Sequence, residues 1–188
     1  GLFNSLKQSI TESYKEAIDF EKNMSMVQTL TGGTKQETNK LSKELTQMGI
    51  NLGKTPTEMA KGMHQVQSMT DKSVDSMKVL DQSTKMAVAS NSQVNETVAV
   101  GVGIVNAFGM SMDDLSTVYD KLFKVIDIGD VSMQDMYQSM GTLTTSAVRA
   151  NVPFDEMLGQ LSFLTTNGLD ATSAITALAR AYDGIYEK

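Results

Sequence analysis

The chain has no cysteine, no tryptophan, one histidine and two prolines among its 188 residues. Without cysteine there can be no disulfide, thiolate nucleophile or cysteine-ligated metal, and the redox compartment stays open. A single histidine excludes any multi-histidine metal site. Lys and Arg number 16 against 22 for Asp and Glu, a net charge of −6, and a diffusely acidic surface is poorly suited to neutralising nucleic-acid phosphates. Long apolar runs are missing too. The longest, Val98 to Phe108, is interrupted by Gly101, Gly103 and Asn106, far short of the roughly 20 residues of a membrane helix. No basic region precedes an apolar stretch at the start, so no signal peptide is expected, and a chain opening at Gly1 reads as a fragment of something longer.

What the chain does have is helical period and helix punctuation. From Phe3, the residues Leu6, Ile10, Ala17, Phe20, Met24 and Val27 recur at helical steps, which predicts a first helix over about 2–30, roughly 43 Å long. Thr31-Gly32-Gly33 supplies a helix end. Thr34-Lys35-Gln36-Glu37 and Thr55-Pro56-Thr57-Glu58 read as capping boxes, separated by an expected loop over Gly49 to Lys54. Further starts are expected at Ser111, Ser132 and Val152-Pro153, about 21 residues apart, and near Asp170. The stripes behind them are Met112, Leu115, Val118, Tyr119, Leu122, Ile126; then Met133, Met136, Tyr137, Met140, Leu143, Ala147; then Phe154, Met157, Leu158, Leu161, Leu164; then Ala171, Ala174, Ile175, Leu178, Tyr182, Ile185. Each marks one face of a helix of about 15 residues. Such short helices must pack on one another, and short connections favour antiparallel neighbours. The expected fold is all-α, an array or bundle of about eight helices over 1–188 as a single region, a longer N-terminal helix preceding several short antiparallel ones. Its 14 methionines point to an adaptable core.

Candidate chemistry is thin. His64 lacks a carboxylate or second histidine at helical spacing, and reads as a surface or interface residue. Asp113/Asp114, Asp127/Asp130 and Asp155/Glu156 could be imagined as glycosidase pairs. Acids in a first helical turn are already explained by capping and the helix dipole, and no aromatic sugar platform accompanies them. Gly101-Val102-Gly103 has no phosphate-binding context and reads as close helix approach. No serine stands in a Gly-x-Ser-x-Gly setting. The methionine stripe fits core packing better than a peptide groove. No catalytic, cofactor-binding or metal-binding residues are expected.

The order of local motifs carries more. Ala17-Ile18-Asp19-Phe20-Glu21-Lys22-Asn23-Met24-Ser25-Met26-Val27 resembles the opening of phage tail tape-measure proteins of the TP901-type minor tail family. Thr31-Gly32-Gly33-Thr34 and Thr55 to Met63 resemble the segment that follows, with the family's usual Phe replaced. Ala107 to Met110, Val118 to Leu122, Val131 to Met136, and Asn167 to Ala174 with Leu178-Ala179-Arg180 are similar to later segments, in the same order.

The resemblance implies a non-enzymatic segment of a large structural virion protein in a phage or prophage tail. Such proteins lie in the tail-tube lumen after synthesis in the host bacterial cytoplasm, set tail length during tube assembly and leave at genome ejection. The implied partners are tail-tube protein, tail-assembly chaperones, baseplate or tail-tip proteins and further copies of itself, commonly three. No small-molecule substrate, nucleic-acid specificity or membrane segment is implied for this region. A generic helical interaction module of a secreted or toxin-associated protein, and a wall-degrading enzyme domain, are the alternative readings.

Overall fold

The computed structural model describes residues 2–187, with side chains from Asn4 onward. Nine α-helices occupy the described residues: α1 (Leu2–Thr31), α2 (Lys35–Leu52), α3 (Pro56–Met69), α4 (Ser76–Ala89), α5 (Val94–Ala107), α6 (Leu115–Ile128), α7 (Met133–Arg149), α8 (Phe154–Thr166) and α9 (Ala171–Tyr186), with a 3₁₀ turn at Met112–Asp114. The all-α expectation stands, and the count is one above the expected eight or so.

The helices form two layers. The odd-numbered ones stack in chain order, α1 on α3, α3 on α5, α5 on α7 and α7 on α9. The even-numbered ones stack beside them as α2, α4, α6 and α8. The structural repeat is therefore a helix pair. Odd-layer starts from α3 onward fall at Pro56, Val94, Met133 and Ala171, steps of 38, 39 and 38 residues. The 21-residue spacing between Ser111, Ser132 and Pro153 is about half of this repeat, alternating between the layers. Each pair covers its neighbours' apolar faces, as in helical solenoids.

The loops repeat because their chemistry repeats. After Gly32, left-handed at φ 66° behind α1, five more loops close the helix on a left-handed residue in one shared pattern: Gly53, Asn91, Gly109, Asn151 and Gly168, with φ of 71°, 50°, 62°, 55° and 97°. At each, the following amide donates to a carbonyl five residues back, as in Ser92 to Ala87 at 2.8 Å and Val152 to Ala147 at 2.9 Å. This is the Schellman arrangement. The next helix is then started by a side chain: capping boxes form at Thr34, Thr55, Ser111 and Ser132, and Asp75 and Asp170 accept from first-turn amides. Pro153 precedes α8 without a side-chain cap.

Two local expectations change. The loop expected over Gly49 to Lys54 shrinks, because α2 continues to Leu52. Gly49 stays helical where a Cβ would meet the Lys54 carbonyl oxygen at 2.7 Å, so its bareness lets the chain turn back on the helix. Second, α4 begins at Ser76 behind the capping residue Asp75, a start that the apolar period does not single out. Asp75 Oδ1 accepts from the amides of Met77 and Lys78, both at 3.1 Å.

One continuous core runs through both layers and includes Met24, Met59, Met63, Met86, Met133, Met136, Met140 and Met157, eight of the 14 methionines. Polar groups inside it are mostly paired. Tyr119 on α6 donates its hydroxyl to the Thr97 carbonyl at 2.9 Å and lies 2.7 Å from Ser83 Oγ, tying α6 to α5 and α4. Burial pushes this phenol's pKa well above its ordinary value.

Candidate functional site

The candidate acidic residues and His64 are scattered, and the acids at helix starts are already engaged. Asp113 pairs with Lys78 at 2.6 Å and Asp155 with Lys121 at 2.5 Å, joining α4 to the start of α6 and α6 to the start of α8. Arg149 to Asp183 at 3.1 Å does the same for α7 and α9. The Lys78 ammonium holds the Asp113 carboxyl below the usual range. Asp114 accepts from the Ser111 amide at 3.1 Å, and Glu156 from Gln160 at 3.0 Å. Asp127 and Asp130 lie exposed at the α6–α7 turn. His64 is half-buried on α3 and forms no ion pair among the described residues. Among the described residues no acidic or histidine cluster could hold a metal, and no helix is long and apolar enough to cross a membrane.

The glycines of α5 divide. Gly101 is the close approach that the sequence suggested: a Cβ there would meet the Tyr119 ring at 2.4 Å. Gly103 is not, since a Cβ there meets only Met69 Cε, at 3.7 Å. It opens instead onto a groove of about 240 Å³ between α5 and α7, whose walls include Ala99, Gly103 and Ala107 on one helix and Tyr137, Gly141 and Thr144 on the other. Tyr137, expected in the core stripe, stands 46% exposed on the rim because no helix covers this side. Thr144, only 3% exposed, leaves its hydroxyl without a hydrogen-bond partner in the described structure.

The second uncovered face is on α1. Glu16 is its first residue to engage the body, accepting from the Thr57 amide through Oε1 and from the Thr57 hydroxyl through its carbonyl, both at 3.2 Å. Beyond it Asn4 to Lys15 are all exposed. Leu6, Ile10 and Tyr14 are 54%, 69% and 69% exposed. The expected stripe packs only through Phe20, Met24 and Val27, and the Phe3 side chain lies outside the described residues. Length explains the difference. At 1.5 Å per residue, α1 with 30 residues spans about 45 Å and α3 with 14 about 21 Å. Half of α1 has nothing opposite it.

The helical period placed Leu6 and Ile10 on the apolar stripe of the first helix and did not single out the groove. Ala99, Gly103 and Ala107, four residues apart, were its available signal. A family model described as "phage-related minor tail protein" matches residues 39–185, from within α2 to the end of α9. The chain belongs to this family. It is thus a structural component of a phage tail, a part of the virion working among other tail components, and the family is of a non-enzymatic kind. Neither the curated proteins nor the solved structures searched contain a match.

Proposed function

We propose that the chain is a segment of a tail tape-measure protein of the TP901-type, acting in tail-length determination, tube assembly and genome ejection from the tube lumen. The observation that carries this reading is the family match over 39–185, joined by the order of tape-measure-like motifs from Ala17 to Arg180. Tail-tube protein, assembly chaperones, baseplate or tip proteins and further copies of the chain are its proposed partners. The whole of 1–188 acts as one unit in this reading, with no catalytic, cofactor or metal residues.

A ruler must be long, whereas a stack of helix pairs is short. As one continuous helix, 188 residues would reach about 280 Å. Stacked at helix-packing distances of about 9 Å per pair, they advance only some 40 Å. The methionine-rich core offers a way between the two forms, because unbranched side chains specify one packing weakly and give it up at low cost. On this reading the stack opens for passage through the tube. A calorimetric transition above about 90 °C would contradict it.

The test is tail length by electron microscopy after in-frame deletion of residues 115–153 from the parent protein. This removes one 39-residue repeat and joins Asp114, which precedes α6, to Phe154, the first residue of α8. Shortening by about 60 Å means that these residues measure length as extended helix. Intact tails of unchanged length would show that the segment plays no part in measuring.

A further inference from the structure

We infer that the α5–α7 groove is filled by the exposed N-terminal arm of α1, residues 4–15, from a second copy of the chain. This inference does not depend on the length-measuring role.

The groove asks for a helix. Ala99, Gly103 and Ala107 follow one another at four-residue steps, and Gly141 stands across from them with nothing within 4 Å of a built Cβ. The small side chains of α5, with Gly141 and Thr144 across from them, leave room for a third helix between the larger Tyr137 and Met140 of the α7 wall. Thr144 is the independent sign that something is missing. Its hydroxyl is cut off from solvent yet unpaired, and leaving such a group unmet costs about 1–3 kcal/mol.

The arm has matching shape and chemistry. Leu6, Ile10 and Tyr14 also follow at four-residue steps, so both stripes run about 12 Å. Short loops reverse the chain at each turn, so α5 and α7 run the same way, and the repeat puts Gly141 level with Val102 and Thr144 with Val105. An arm lying parallel with Tyr14 at Thr144 sets Ile10 at Gly141 and brings Lys7 to the head of the groove. There Glu96 is half-buried and forms no ion pair among the described residues. One orientation therefore sets the Tyr14 hydroxyl beside Thr144, within reach of a rotated Thr144 hydroxyl, and pairs the charges together.

The chain's own arm is not the occupant. α1 is one unbroken helix whose second half packs on α3, with no hinge to swing the arm two helices along. Area argues for a reciprocal pair. The three exposed side chains amount to roughly 400 Å², the size of a large monomer patch. One arm in one groove buries about 800 Å² in all, below a stable interface, while two exchanged arms bury about 1,600 Å².

The absence of cysteine makes the test direct. Proteins carrying Ile10→Cys and Gly141→Cys are mixed under oxidising conditions, with helix content checked by circular dichroism. The expected result is a disulfide-linked dimer in the mixture that neither protein forms alone. Linking of the Ile10→Cys protein to itself at the same rate would mean arm against arm and overturn the inference. So would a mixture without linked dimer. In sedimentation of the 188-residue chain, Glu96→Lys weakens the dimer by roughly tenfold or more and adding Lys7→Glu restores it. A monomeric parent chain, or a double variant no better than the single one, would also overturn it.

Discussion

The ring of Tyr119 lies flat against the bare Cα of Gly101, so near that a Cβ at 101 would sit 2.4 Å from ring carbons Cε1 and Cζ. Through this contact α6 of one layer rests on α5 of the other. Alanine normally gains about 1 kcal/mol over glycine inside a helix, but here its Cβ would overlap a buried ring whose hydroxyl is held at the Thr97 carbonyl and beside Ser83. Gly101→Ala is expected to destabilise by about 1–3 kcal/mol, whereas Gly159→Ala, whose Cβ meets nothing within 4 Å, stabilises by up to about 1 kcal/mol. Urea unfolding of both variants checks the contrast.

Tyr119→Phe keeps the ring and removes the hydroxyl shared with Ser83 and Thr97. With the phenol gone, Ser83 can give its proton to the Val79 carbonyl at 2.8 Å, so the loss is about 1–2 kcal/mol rather than that of a stranded group. Because burial raises the phenol's pKa, its contribution is complete below the unfolded value near 10 and is lost as pH rises above it. Between pH 10 and 11.5 the parent's melting temperature should fall more steeply than that of Tyr119→Phe.

Asn91 and Asn151 hold φ of 50° and 55° in loops where Gly53, Gly109 and Gly168 do the same work. Asn151→Gly is expected to be neutral or stabilising by a few tenths of a kcal/mol, and Asn151→Val to cost about 1–2 kcal/mol, since a β-branched residue resists the left-handed region. Thermal melts of the two variants should bracket the parent.

The helix-start carboxylates of Glu37 and Asp170 are held below their ordinary range by hydrogen bonds from Thr34 and Ser173, and Asp113 by the Lys78 ammonium. A depressed folded pKa contributes stability that is present above the unfolded value, near 4, and disappears as pH falls through the folded one. Melting temperature should therefore drop between pH 4.5 and 3. Glu37→Gln, with one such carboxylate fewer, should show a shallower drop.

The composition, the helical period and the capping residues were sufficient for an all-α chain, for the first helix, and for starts at Thr34, Thr55, Ser132 and Asp170. Caps and left-handed loop residues act within one turn, so their signal is local and survives without a partner in view. What lies between layers is not local. Whether Ser111 and Ser132 begin successive repeats or two halves of one depends on which helices touch, and only the stack separates them. The same holds for burial. An apolar stripe tells which face of a helix seeks cover, but Leu6 and Ile10 stand exposed because α3 is half the length of α1, and Tyr137 because nothing lies over the α5–α7 groove. A neighbour's length and place are properties of the tertiary structure, and they decided which of the predicted stripes became core and which became open surface.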